Sequence, residues 1–145
     1  MDTANSIHIA NELLFEQVLD YLQQGKGVLI PIKGGSMRPF LKEGDKVLLK
    51  SIGPKFLSRG MIVLAKTNGK WLLHRIVRID RTGISLAGDA NVAIHEVVSH
   101  SDIRAVVSIL KRDGREYNLN NKWMWCLGVA WYRTRPVRRF IRSCF

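Results

Sequence analysis

Two residues of this 145-residue chain have side chains that pair into chemistry: Ser36, in Gly34-Gly35-Ser36-Met37-Arg38-Pro39, and His74, in Leu72-Leu73-His74-Arg75-Ile76. A serine hydroxyl is a poor nucleophile near neutral pH until a neighbouring base takes its proton, and a neutral imidazole is the side chain best matched to that task. The glycines before Ser36 permit backbone angles closed to other residues, and Pro39 stops a helix from running on and burying the hydroxyl. Taken alone, Gly-Gly-Ser is also an ordinary surface turn, and a lone histidine in a strand is also a hydrogen-bonded sheet residue.

The order of the downstream boxes favours the pair. The chain continues Glu43-Gly44-Asp45-Lys46-Val47, then Arg59-Gly60-Met61-Ile62-Val63, then Leu73-His74-Arg75-Ile76-Val77, then Gly88-Asp89-Ala90-Asn91. From about Val28 to Val107 this series resembles the serine peptidase clan that contains type I signal peptidases and the self-cleaving LexA-like repressors. Its signature is a G-x-S-M-x-P box, a G-D-x-V strand, a second G-D-I-V-like strand, a K-R or H-R strand and a G-D-N loop. The resemblance makes Ser36 the nucleophile and His74 the general base, in the histidine variant of the clan. Asp89, the aspartate of the G-D-N box, is then the group that orients or charge-stabilises the imidazole. Gly34, Gly35 and Met37 become the oxyanion and substrate-binding positions.

Three positions depart from the pattern. Signal peptidases usually carry serine two positions before the nucleophile, where its hydroxyl helps bind the oxyanion; here that position is Gly34, so backbone N–H groups such as that of Ser36 would form the hole. Met61 replaces the aspartate of the second G-D box. The further aspartate expected after the G-D-N box has no clear match, Glu96 and Asp102 being the acids downstream.

With 46% apolar and 24% charged residues, the chain suffices for one compact domain with a core and is short for two. A single domain over 1–145 is expected: a helix over 5–25, a β peptidase-like domain over 27–119 and a basic aromatic tail over 122–145. Cys126 and Cys144 make neither a disulfide framework nor a metal cluster, and His8, His74, His95 and His100 lack zinc-type spacing. No metal and no cofactor are expected.

These residues need a scaffold. Ile9, Leu13, Leu14, Val18 and Leu22 recur at helical spacing, with Asn5 or Ser6 as the cap and Gly25 and Gly27 as the stop. Glu12, Glu16 and Asp20 in this stretch argue against a targeting signal. Strands are expected at Val28 to Ile32, Lys46 to Lys50, Met61 to Ala65, Trp71 to Ile79, Ile84 to Ala87, Ile103 to Leu110 and Glu116 to Leu119. Asn68-Gly69, Asp113-Gly114 and Thr82-Gly83 read as hairpin turns. The fold class is therefore mainly β, an antiparallel LexA/signal-peptidase-like domain with an amphipathic N-terminal helix. Alternation places His74 on the face of Leu72 and Ile76, opposite Arg75.

The tail carries Lys122, Arg133, Arg135, Arg138, Arg139 and Arg142 with no acid, within a chain of net charge +11. Its apolar run, Trp123 to Tyr132, is ten residues, far below the about 18 to 20 needed to span a bilayer. Trp123, Trp125 and Trp131 with Arg138, Arg139 and Arg142 have the composition of a segment lying on an anionic membrane surface. Equally, the tryptophans could close the domain's own core and the arginines form a solvated face. Basic residues spread along the chain, with too few residues before the first strand for a helix-turn-helix, argue against sequence-specific nucleic acid. The expectation is a peptidase acting on a peptide or protein, in the cytoplasm or attached to the inner face of the membrane. The alternative is a weak or inactive module that binds a peptide or a membrane on the same fold.

Overall fold

The computed structural model describes residues 3–52, 57–91 and 96–144, with side chains from residue 12 onward. Helix α1, Thr3–Gln23, leads into strands β1 (Val28–Pro31), β2 (Lys46–Lys50), β3 (Ile62–Thr67), β4 (Lys70–Asp80), β5 (Gly83–Ala87), β6 (Glu96–Val98), β7 (Ile103–Arg112) and β8 (Arg115–Asn118). Helices α2, Lys122–Arg133, and α3, Arg135–Cys144, complete the chain. The strands form one antiparallel sheet in the order β1-β2-β7-β3-β4-β5-β6, with β8 paired to β7.

The β-rich fold is the one the boxes implied. Both expected Asx-Gly hairpins form, with positive φ at Asn68 and Gly69 and at Asp113 and Gly114, as a two-residue turn matched to strand twist requires. The third closes through Asp80, whose carboxylate accepts from the Thr82 N–H. One strand was not expected: β6 has three residues, too few for a period-two pattern to register. Its partner is β5, with Leu86 opposite Glu96.

Ile62-Val63-Leu64-Ala65 is apolar without alternation because β3 is buried on both faces. Ile62 and Leu64 join Val47, Leu49, Ala105 and Val107 under α1, while Val63 and Ala65 join Ile76, Ile84, Leu86 and Val106 on the other side. Helix α1 buries Val18 and Leu22 and packs Phe15 and Leu19 against the first of these clusters. Leu13, 58% exposed, and Leu14, 48% exposed, fall off that face, contrary to the stripe expected from spacing. The helix stops where Gly25 turns left-handed at φ 79°: the Gly25 N–H bonds the Leu22 carbonyl and the Lys26 N–H that of Tyr21.

The tail packs on the domain. Trp125 lies against Gly60, where any Cβ would meet the Trp125 Cβ at 2.5 Å, and it joins the second cluster. Gly128 lets α2 seat on the Arg75 guanidinium. Trp131 Nε1–H donates to the Asp89 carbonyl at 2.7 Å. Trp125 and Trp131 therefore contact the domain, whereas Trp123 is 72% exposed. Among the described residues no helix is long and apolar enough to cross a membrane.

Candidate active site

Ser36 stands on the connection between β1 and β2, and the chain presents it by anchoring both sides. Ile32, Met37 and Leu41 are buried in the first cluster. The base of the loop closes through Ile32 N–H to the Asp45 carbonyl at 2.8 Å. Arg112 clamps the Asp45 carboxylate at 2.8 and 2.6 Å and donates to the Phe40 carbonyl at 3.0 Å. This guanidinium holds the Asp45 carboxyl below its ordinary value, against the opposing pull of burial. Gly34, at φ 79°, supplies the turn between Ile32 and Met37, and Ser36 is left exposed.

His74 lies in β4 opposite Val63 and is 7% exposed. The β4–β5 ladder pairs Arg75 with Ala87, so Gly88 comes next, beside His74. A Cβ built on Gly88 would stand 2.6 Å from the Ser36 carbonyl oxygen and 3.2 Å from His74 Nε2, so the serine peptide and the imidazole converge on one point. The Ala90 N–H bonds the Ser36 carbonyl at 2.9 Å, tying the Gly88–Asn91 turn to the serine loop. Ser36 and His74 both line a cavity of about 340 Å³ whose other walls include Phe15, Ile30, Met37, Leu72 and Leu73. Among the described residues no hydrogen bond joins the Ser36 hydroxyl to His74; in serine enzymes that bond often tightens only with substrate bound.

The carboxylate on the imidazole is Glu96, not Asp89. Glu96 Oε2 lies 3.1 Å from His74 Nδ1, which leaves Nε2 on the Gly88 side. Asp89 instead receives Arg75 Nε and Nη2 at 2.9 and 2.8 Å, with both side chains 3% exposed. Burial pushes the Asp89 carboxyl above its ordinary value, and the Arg75 guanidinium opposes that shift. Arg75 also donates to the Gly60 carbonyl and lies over the Phe40 ring. Asp89 thus holds together β4, α2 and the Gly88–Asn91 turn, and among the described residues its carboxylate makes no hydrogen bond to His74, acting on it through charge alone. Asp102, the other downstream acid, accepts from the Ser99 N–H in a local cap.

Of the proposed substrate positions, Gly34 and Met37 line the cavity, Met37 as a core residue, and Gly35 does not. Among the described residues no group of three His, Cys, Asp or Glu side chains could hold a metal ion, and Cys126 and Cys144 are free and exposed. His95 lies outside the described residues, as does the His8 side chain.

A family model described as Peptidase S24-like matches residues 4–110. The chain belongs to that family. No curated protein matches it. The S24-like stretch takes in α1, the Ser36 loop, His74 and Glu96 and ends inside β7, so β8, α2 and α3 lie beyond it. The site therefore belongs to the family's part of the chain, while Trp131, Arg138 and Arg142 reach it from outside.

Proposed function

We propose that this S24-like domain is a serine endopeptidase with Ser36 as nucleophile, His74 as general base and Glu96 as the group that orients the base. The observation that carries the reading is the division of labour on the imidazole. Nδ1 is taken by Glu96, and Nε2 is turned toward the point shared with the Ser36 peptide.

In the reaction, His74 Nε2 takes the Ser36 Oγ proton as Oγ adds to the carbonyl carbon of the scissile bond. The oxyanion is received by backbone N–H groups about Ser36, since Gly34 contributes no side-chain donor. Glu96, accepting from Nδ1–H, stabilises the imidazolium and fixes the tautomer that makes Nε2 basic. The imidazolium then protonates the leaving amine, giving an acyl-enzyme. Water, deprotonated by the same nitrogen, releases the acid and restores Ser36. The apolar cavity walls suit an apolar peptide side chain beside the scissile bond.

An activated peptide ester carrying an apolar residue at its acyl end tests this. Acid quenching should trap one acyl group per chain, mapped to Ser36. Turnover with no acyl-enzyme, or acylation at another residue, contradicts the mechanism. A second reading, a peptide-binding module without turnover, draws on the unjoined Ser36 and His74 and on Gly34; it predicts saturable peptide binding with no acylation.

A further inference from the structure

Helix α3 is amphipathic the wrong way round for a helix packed on a domain. Such a helix ordinarily turns its apolar stripe to the core and its charges to water. Here Arg135 and Arg138, at i and i+3, turn inward, and Arg142 at i+7, itself exposed, reaches back to the domain. Arg135 is buried over the Tyr132 ring, and Arg138 stacks on Trp131 at 4.4 Å and donates to the Asp89 carbonyl at 3.1 Å. Arg142 donates to the Ala90 carbonyl at 3.3 Å. Desolvation, reinforced by Arg135 and Arg142, pushes the Arg138 guanidinium below its ordinary value. The opposite face is left in water: Val137 is 61% exposed, Phe140 68% and Ile141 50%.

An apolar helix face held outward by charges turned toward the domain calls for an apolar occupant, and the charge of the chain selects it. Lys122, Arg133 and Arg139 are exposed on the same two helices, the segment 122–145 has no acid, and the net charge is +11. A second copy would bring the same positive field to the face and be repelled, whereas an anionic bilayer attracts it and accepts apolar side chains at its interface.

We infer that the outward face of α3, Val137, Phe140 and Ile141, docks the protein on an anionic phospholipid bilayer. The arginine face meanwhile pins the helix to the Asp89–Ala90 turn behind Ser36.

The full chain should co-sediment with vesicles of phosphatidylcholine containing about one-third phosphatidylglycerol, remain in the supernatant with pure phosphatidylcholine, and come off as salt rises. Changing Val137→Ser, Phe140→Ser and Ile141→Ser together should lower partitioning roughly tenfold or more. The single Phe140→Asp change serves should the triple variant fail to fold. Ser36→Ala should bind like the wild type, so this result and the peptidase reading stand or fall separately. Wild-type protein that ignores anionic vesicles overturns the inference. So does a folded apolar-face variant that binds them undiminished. A wild-type dimer that light scattering finds abolished in the folded variant assigns the face to a second copy and overturns it too.

Discussion

Three acids downstream of His74 are equivalent by type, and their partners separate them. Glu96 meets Nδ1, Asp89 meets Arg75, and Asp102 caps a short turn. Replacing Glu96 by Gln should lower the rate of Ser36 acylation by about one to three orders of magnitude at constant stability, because the amide can favour the wrong tautomer and gives no charge to the imidazolium. Asp89→Asn should instead act on stability, costing about 3 to 5 kcal/mol in urea unfolding, since it leaves a buried guanidinium without its counter-charge. Asp89→Asn protein that stays stable and loses acylation would return the orienting role to Asp89. Gly88 supplies a steric test. A methyl group there must displace the Ser36 carbonyl or His74, so Gly88→Ala should slow acylation about a hundredfold, measured as single-turnover kinetics.

At the scale of elements, the meeting of Ser36 and His74 at one cavity was legible because local chemistry marks both: glycines before the serine, a strand around the histidine, and the Gly44-Asp45 box between. The Asn-Gly and Asp-Gly hairpins were legible for the same reason. Glu96 was not, because its strand is three residues long and only the β5 pairing brings it to His74. For Asp89 the sequence left the partner open: its neighbour Gly88 touches the site, while its own side chain pairs with Arg75 on the far face of β4 and reaches His74 by charge alone. The tail defeated pattern reading most fully: its segregation of apolar and basic residues is plain in sequence, and which face turns inward is decided by the Asp89 and Ala90 carbonyls. Arg135 marks the cost of that choice, being buried with Nε and Nη2 unpaired. Arg135→Met should therefore raise stability by about 1 to 3 kcal/mol, read as a higher urea midpoint; a lower midpoint would show that the Tyr132 contact outweighs the unpaired donors.

For the whole molecule, the Asp45–Arg112 clamp links loop order to pH. The folded-state shift of Asp45 is downward, chiefly through Arg112. The clamp therefore stabilises fully above the ordinary carboxylate range, and its contribution is lost as pH falls below about 4. Urea midpoints measured from neutral pH downward should show Asp45→Asn about 3 kcal/mol less stable than wild type at neutral pH, with the gap closing in acid. A gap that persists in acid would assign the loss to packing rather than to the ion pair.

The central claim is that His74 activates Ser36, and labelling of the purified full chain with a phosphonylating serine probe, read by intact mass, tests it most directly. One adduct is expected on the wild type, none on Ser36→Ala, and none above background on a folded His74→Ala. Acid that protonates the imidazole should slow labelling, because the base must be neutral to take the serine proton. A folded His74→Ala protein that labels at the wild-type rate, or an adduct that survives Ser36→Ala, would contradict it.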